Sequence, residues 1–144
     1  MRNAAELMSA MREQGLRVTP QRMAIVTQLA GNTEHPTVES LFDAARVAMP
    51  AISLKTVYQT VHDLEALGEV RLLDVGTGQV RVDPNVEHRH HHVVCNSCGR
   101  VRDVPVDFPD LTLPRRHRAG FRVDAVDVIF RGSCDTCASA PDPQ

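Results

Sequence analysis

Apolar residues recur at intervals of three or four through the first 68 positions and at alternate positions over the stretch that follows. The first spacing is typical of the buried face of an α-helix, and the second is typical of a half-buried β-strand. These patterns predict four helices followed by a two-stranded hairpin over residues 70–82. Helices and a hairpin in this order are typical of a winged helix-turn-helix domain.

Local signals predict where these helices begin and end. Thr19 and Ser53 each stand before a helical run and are expected to cap it, because a side-chain oxygen there accepts a hydrogen bond from the first turn. Pro20 is compatible with the first helical position, where an N–H group is not needed. Glycine or proline is expected to end three of the runs, at Gly15, Pro50 and Gly68.

Beyond the hairpin the pattern changes again. The apolar residues predict short strands at 93–94 and 101–106 and a longer strand over 121–130. The Asp-Pro-Asn sequence at 83–85 breaks the alternation and predicts a linker. A frayed tail is predicted for residues 141–144.

The sequence therefore predicts an α+β protein with three parts. Residues 1–82 form the winged-helix DNA-binding domain, residues 83–88 a hinge, and residues 89–144 a small α/β domain. The second domain is too short to bury a large core, so we expect a metal ion or a dimer interface to stabilise it.

Composition excludes several classes of protein. Hydrophobic residues make up 42% and charged residues 24% of the 144 positions, which is typical of a folded chain. No apolar run approaches the roughly 20 residues that span a bilayer, and the N-terminus does not resemble a signal peptide. We therefore expect a cytoplasmic protein without membrane contacts. The net charge of −2 argues against binding nucleic acid through bulk charge, so any DNA binding depends on locally placed residues.

The four cysteines form two C-x-x-C pairs, Cys95 with Cys98 and Cys134 with Cys137. Each pair follows a predicted strand and supplies two soft donors from one tight turn. In a cytosolic chain such pairs are typical of zinc ligands rather than of disulfides. Four buried or redox-active thiols are the alternative. Because four cysteines leave no open coordination position, the sequence predicts a zinc ion with a structural role.

Histidines cluster just before the first cysteine pair. On an extended segment, His90 and His92 project from the same face, and paired imidazoles bind divalent metals. Asp83 and Asp103 would add oxygen donors, and His35 stands alone in the loop before the third helix. A solvated histidine run is the alternative interpretation. The other histidines are expected to face solvent: His62, His88, His91 and His117.

Taken in order, several motifs resemble those of the ferric uptake regulator family of metal-dependent repressors. The matching segments cover nearly all of the chain: GLRVTPQR at 15–22, EHPTVESLF at 34–42, ISLKTVYQTVHDLEALGEV at 52–70, the H-x-H-x-x-C-x-x-C run at 90–98 and the final C-x-x-C. Each motif alone is weakly specific, whereas the ordered set is highly specific. The resemblance implies a winged-helix domain followed by a dimerisation domain that carries the four-cysteine zinc.

The resemblance also implies a regulatory metal, Fe(II) or Mn(II), at the hinge. The family's ligands match five residues of this chain: His35, Asp83, His90, His92 and Asp103. Because these residues come from both domains and the linker, a metal that needs all of them favours the closed arrangement. Such proteins bind palindromic operator DNA as homodimers when this site is filled.

Asp103 favours the peroxide-sensing branch of the family, because iron-sensing members typically carry glutamate there. Arg89 and Val126 stand where iron regulators often have ligands of another site, and neither side chain binds metal. With Fe(II) bound, the resemblance implies that peroxide oxidises His35 and His90 and so releases DNA, whereas Mn(II) permits repression without oxidation. Two prolines are expected to shorten a helix that the family usually has in the second domain: Pro109 and Pro114.

On the helix-turn-helix hypothesis the fourth helix reads DNA. Lys55 would contact phosphate or a guanine edge, Gln59 would pair with adenine, and Tyr58 would contact a thymine methyl group. The complete set of candidate DNA contacts is Arg17, Lys55, Thr56, Tyr58 and Gln59. A solvated helix face is the alternative. Many relatives carry arginine at the position of Gln59, so we expect a different base preference here.

Three other functions remain open at this stage. A regulator of the same fold would sense iron, manganese, zinc or nickel instead of peroxide. A metallohydrolase would need an open metal position and a general base, and the sequence offers no candidate catalytic residue for that base. A metal-storage protein would have no use for the Lys-Thr-Val-Tyr sequence at 55–58. We therefore expect a DNA-binding repressor and not an enzyme.

Overall fold

The structure is a computed structural model that describes residues 1–139, so the predicted tail at 141–144 lies outside the described residues. The chain divides into two compact units, Met1–Glu87 and His88–Gln144. The architecture is α+β, as predicted, with helices and a hairpin in the first unit and a small sheet in the second. None of the helices in residues 1–139 combines the length and the apolar character that crossing a membrane requires.

Four helices build the first unit: α1 Ala4–Glu13, α2 Pro20–Leu29, α3 Val38–Ala48 and α4 Leu54–Ala66. The predicted caps are confirmed, since the Thr19 hydroxyl accepts from the Arg22 N–H at 3.3 Å and the Ser53 hydroxyl from the Thr56 N–H at 3.1 Å. Gly15 and Gly68 follow α1 and α4 with φ of 73° and 71°, a conformation that favours glycine. The helices bury one continuous core that includes Leu7, Ile25, Leu41, Val57 and Leu64.

A hairpin completes the first unit. Strand β1, Arg71–Asp74, pairs antiparallel with β2, Val80–Asp83. Asp83, which the sequence assigned to the linker, is therefore the last residue of a strand. Backbone contacts also tie β2 to the loop before α3, because the Val82 N–H donates to the Pro36 carbonyl at 2.9 Å. This contact brings the end of the hairpin close to His35.

The second unit is a three-stranded sheet with the order β4-β3-β5. Strand β3, His91–Cys95, lies in the centre, antiparallel to β4, Val101–Val104, and parallel to β5, Ile129–Gly132. A short helix, α5, Asp135–Ala138, follows β5. Among the described residues of this unit, the buried apolar side chains are those of Val94, Cys95 and Val101.

Two predicted strands are shorter than expected. The alternation over 121–130 predicted one long strand, yet only its last two residues belong to β5, because the pairing with β3 begins at Ile129, preceded by a single backbone hydrogen bond from the His92 N–H to the Val128 carbonyl at 3.1 Å. Strand β4 ends at Val104 rather than at 106, because the next residue, Pro105, has no N–H to donate to a sheet. The segment around Pro109 and Pro114 contains only a 3-10 turn at Arg115–His117, in agreement with the helix-breaking effect expected of the prolines.

Candidate functional site

The two C-x-x-C pairs come together at one end of the second sheet. Cys95 is the last residue of β3, Cys98 lies in the turn before β4, Cys134 precedes α5, and Cys137 lies within it. The four sulfur atoms lie within 4.8 Å of one another. The backbone N–H of Cys134 also donates to the Cys95 sulfur at 3.3 Å, which links the two turns directly.

The sulfur separations distinguish a zinc site from disulfides. The Sγ atoms of Cys98 and Cys134 are 3.7 Å apart, far beyond the S–S bond length of about 2.05 Å, and all four cysteines are free. Four sulfurs at about 2.3 Å from a tetrahedral zinc ion lie roughly 3.8 Å from each other. The donor set and its spacing therefore fit a structural zinc ion, as the sequence predicted.

Hydrogen bonds prepare this cluster for a cation. Backbone N–H groups of Cys98 and Cys134 lower the pKa of the Cys95 thiol to about 5. The sulfur of Cys134 and then that of Cys98 raise the pKa of Cys137 to about 12. Because a bare cluster cannot easily hold a thiolate at every position, a divalent cation is needed to keep all four deprotonated.

A second group of donors lies at the start of β3 and on β4 of the same unit, with His90 immediately before β3. The Nε2 atoms of His90 and His92 are 3.2 Å apart, and Asp103 Oδ1 lies 3.5 Å from the first and 3.9 Å from the second. Two imidazoles that bind one ion at about 2.1 Å are separated by roughly 3 Å. The pairing of His92 with Asp103 across the two strands places these side chains together.

The tautomer of His90 places a lone pair on Nε2, the form in which an imidazole nitrogen binds metal. Its Nδ1 lies 2.9 Å from the carbonyl oxygen of His88, and because a carbonyl only accepts, Nδ1 carries the hydrogen. The Nε2 lone pair then points toward His92. Backbone carbonyls commonly orient metal-binding histidines in this way.

His91 differs from the prediction. It was expected to face solvent, yet it is buried, with 4% of its surface exposed. Its Nδ1 accepts a hydrogen bond from the Val128 N–H at 3.2 Å, and its ring packs against Phe108. The residues of β3 alternate between two faces, so His91 points away from the donors and supports the sheet instead. His88 is exposed, as expected.

The first unit holds the other two candidate ligands. His35 Nε2 lies 3.6 Å from Asp83 Oδ1, and both side chains are buried. His35 Nδ1 donates to the Thr33 carbonyl at 3.2 Å, so its Nε2 has a lone pair to offer, as in His90. The backbone of His35 adopts a φ of 49°, which is uncommon outside glycine, and Arg81 donates to its carbonyl at 3.1 Å.

Helix α4 exposes three of the candidate DNA contacts, Lys55, Tyr58 and Gln59. Thr56 is half-buried, and its hydroxyl pairs with that of Ser53 at 2.9 Å, within the cap of the helix. The fifth candidate, Arg17, is exposed in the segment before α2. All five belong to the first unit.

Sequence reasoning missed two carboxylates beside these residues. The Tyr58 hydroxyl donates to Glu39 of α3 at 2.7 Å, which raises the pKa of Tyr58. The Gln59 amide donates to Asp63, one turn further along α4, at 2.9 Å. The i, i+4 spacing of Gln59 and Asp63 was a signal for the second contact, whereas contacts between helices have no such local signal.

Comparison with known proteins finds a family model, curated relatives and solved structures that are similar to this chain. The family model described as the ferric uptake regulator family matches residues 13–130. "Ferric uptake regulation protein 2" of Mycolicibacterium fortuitum is 33% identical over 98% of this chain and 99% of its own length. "Peroxide-responsive repressor PerR" of Staphylococcus aureus is 32% identical over 92% of this chain and 89% of its own. The structure of the Helicobacter pylori ferric uptake regulator, at 19% identity, has a TM-score of 0.73 and covers 94% of this chain and 91% of that one, which shows a shared fold.

Proposed function

This chain belongs to the ferric uptake regulator family of metal-responsive transcriptional regulators, and we propose that it represses transcription until peroxide inactivates it. The observation that carries this proposal is the division of the candidate metal donors. The first unit contains the exposed helix α4 and only two donors, His35 and Asp83, while three more lie in the second unit. A metal that needs donors from both units couples its own binding to the placement of α4.

The chemistry of the donors supports Fe(II) or Mn(II) as the regulatory metal. Two histidines and one carboxylate, as in His90, His92 and Asp103, form the ligand set typical of non-haem Fe(II) sites that keep positions open. His35 and Asp83 would complete the coordination from the first unit. The differential affinity of the metal for the closed arrangement is then the coupling energy, which is typically about 1–3 kcal/mol.

Asp103 and the similarity to a peroxide-responsive repressor support peroxide as the signal. His90, His92 and Asp103 would hold Fe(II), which would supply the redox chemistry by which peroxide transfers one oxygen to the imidazole of His35 or His90 while its other oxygen leaves as water. An oxidised imidazole ring binds the metal less tightly, so the affinity for the metal and the coupled affinity for DNA would fall together. Mn(II) would support repression without this oxidation.

The DNA-binding half of the proposal rests on α4 and the cap before it. The side chains that would contact base edges and phosphates in a major groove are those of Lys55, Tyr58 and Gln59. Thr56 and Arg17 would contact the sugar-phosphate backbone of the DNA. A homodimer would present two such helices about one DNA turn, ~34 Å, apart to a palindromic operator. The activity belongs in the cytoplasm, because it requires access to chromosomal DNA.

The zinc site would maintain the structure and take no part in sensing. Cys95, Cys98, Cys134 and Cys137 fill the tetrahedron of a zinc ion, so no coordination position remains for a substrate. At the other site, five protein ligands would leave little room for a substrate, and no residue among 1–139 is placed as a general base, so we propose that the protein has no enzymatic activity.

A single experiment tests peroxide sensing. Protein loaded with zinc and with either Fe(II) or Mn(II) is used to select binding sites from a pool of random DNA duplexes. Binding to a selected site is then measured before and after peroxide, and the protein is digested for mass spectrometry. We expect binding to be lost only from the Fe(II) form, with a gain of one oxygen on the peptides that contain His35 or His90.

The other outcomes distinguish the alternatives. Binding that survives peroxide but follows the concentration of one metal would make the protein a metal-uptake regulator, as the name of the Mycolicibacterium relative suggests for that protein. Failure to select any DNA sequence, with either metal, would contradict the repressor proposal and favour metal storage or hydrolysis.

A further inference from the structure

Three polar side chains form a chain of contacts on the exposed side of the first unit. Asp63 of α4 accepts a hydrogen bond from Gln59 Nε2 at 2.9 Å through Oδ1. Its other oxygen, Oδ2, lies 2.6 Å from Arg22 Nη2 of α2. The side chains of Arg22 and Asp63 are 17% and 13% exposed, whereas Gln59 is exposed at the surface. Asp63 thus forms an ion pair with Arg22 through one carboxylate oxygen and a hydrogen bond with Gln59 through the other.

The acceptor character of Asp63 decides which way the Gln59 carboxamide faces. An ionised carboxylate only accepts hydrogen bonds, so the amide nitrogen, and not the amide oxygen, must lie next to it. The NH2 group has two hydrogens, and one of them is used by Asp63. The amide oxygen and the second hydrogen are left for another partner. The contact therefore favours one of the two orientations that a free glutamine would adopt with similar energies.

The remaining edge of the carboxamide matches adenine. In the major groove adenine presents an acceptor, N7, beside a donor, the N6 amino group, and the amide of glutamine pairs with both. We propose that Asp63 is a positioning residue for base reading, which presents the oxygen and the free hydrogen of Gln59 to an adenine. This proposal rests on the proposed DNA binding of α4.

Arg22 makes such a carboxylate compatible with DNA. An unpaired aspartate beside a phosphate backbone would repel it, whereas the guanidinium of Arg22 forms an ion pair with Asp63 and offsets its charge. The same ion pair limits the rotation of Asp63, and so it also limits the movement of the amide that Asp63 holds. Arg22 belongs to α2, so base reading by α4 depends on the packing of these two helices.

The substitution Asp63→Asn tests the proposal without changing the size of the side chain. Asparagine has both a donor and an acceptor, so either orientation of the Gln59 amide is allowed. The matched control is Glu65→Gln, which removes one negative charge from the same helix and leaves Gln59 and Asp63 intact. Gln59→Ala identifies the base pair that Gln59 reads.

Each protein, loaded with zinc and Mn(II), is used to select sites from random DNA duplexes, and thermal unfolding is recorded in parallel. Wild type is expected to prefer adenine at one base pair of each half-site by about 5- to 150-fold over guanine, the range of a good paired contact. Gln59→Ala should lose this preference. Asp63→Asn should lose most of it at the same base pair, while all other positions stay as in wild type. Its unfolding temperature should fall, because the largely buried Arg22 loses its ionised partner, and so binding is measured at a temperature where both proteins are folded. Glu65→Gln should select the wild-type sequence.

Three results would overturn the proposal, and they can be told apart. Wild-type preference in Asp63→Asn would show that Asp63 does not orient the amide. Loss of preference at every position would assign Asp63 a general structural role. If wild type selects no sequence at all, the proposed DNA binding itself fails, and the inference fails with it.

Discussion

Replacing Cys98 by serine is expected to unfold the second unit while the first unit stays folded. The zinc site joins the turn after β3 to the segment after β5, and Cys98 lies 3.7 Å from Cys134 across that junction. Serine is a much poorer zinc ligand than a thiolate. The change therefore removes the bridge between two segments that are 36 residues apart in the chain.

The loss of zinc is expected to unfold the second unit because its hydrophobic core is small. Its two buried valines, Val94 and Val101, contribute about 1.5–3 kcal/mol each. Zinc bound to a small domain contributes about 10–16 kcal/mol, which exceeds the contribution of the valines. The first unit, in contrast, has the continuous core of its four helices, and we expect it to fold without a metal.

Hydrogen exchange measured by mass spectrometry on peptides of both units tests this expectation. In Cys98→Ser, peptides from β3 and β4 should exchange as fast as an unfolded chain, while those from α1 to α4 keep their wild-type protection. Ser97→Ala, in the same turn, is the matched control and should behave as wild type. Wild-type protection of β3 in Cys98→Ser would show that zinc is not needed, because the small core alone would then keep the second unit folded.

Three further predictions concern the caps, the tyrosine and the thiolates. Ser53→Ala should lower the free energy of unfolding of the first unit by about 1 kcal/mol in urea titrations, because the cap of α4 is lost; an unchanged midpoint would contradict this role. Glu39→Gln should lower the raised pKa of Tyr58, which absorbance titration of this single tyrosine would report; an unchanged pKa would mean that Glu39 is not the cause. The pKa of Cys95 in the zinc-free cluster is lowered from 9.0 to about 5, so stabilisation by its thiolate is full above pH 9 and is lost as the pH falls toward about 5; the affinity for zinc, measured against a competing chromogenic chelator, should therefore weaken from pH 9 to pH 5, and an unchanged affinity would contradict it.

Helix boundaries were predictable because their signals are local. Thr19 and Ser53 cap α2 and α4 through hydrogen bonds to residues only three positions away. The predicted strand over 121–130 was mostly wrong for the opposite reason. A strand exists only where another backbone pairs with it, and β5 pairs with β3 from Ile129 onward. Alternating valines identify an amphipathic segment but do not contain that information.

The candidate metal sites were predictable in their donors but not in their supporting contacts. The C-x-x-C spacing predicted that Cys95 and Cys134 belong to one cluster, because the donor types and their number suffice for zinc. The burial of His91 was missed, since it depends on Phe108 and Val128 from distant parts of the unit. Asp63 was missed because its proposed role depends on the hydrogen bond that it accepts from Gln59, which only the folded structure shows.

A Mn(II) titration of binding to a selected DNA site tests whether DNA binding depends on metal donors from both units. Wild type, His35→Ala and His90→Ala are compared, with His117→Ala, an exposed histidine, as the control. If donors from both units make DNA binding depend on metal, wild type and the control should bind more tightly as Mn(II) rises. The two variants should show no such increase, although one lacks a ligand in the first unit and the other in the second. Metal-dependent binding by His35→Ala equal to that of wild type would contradict the account.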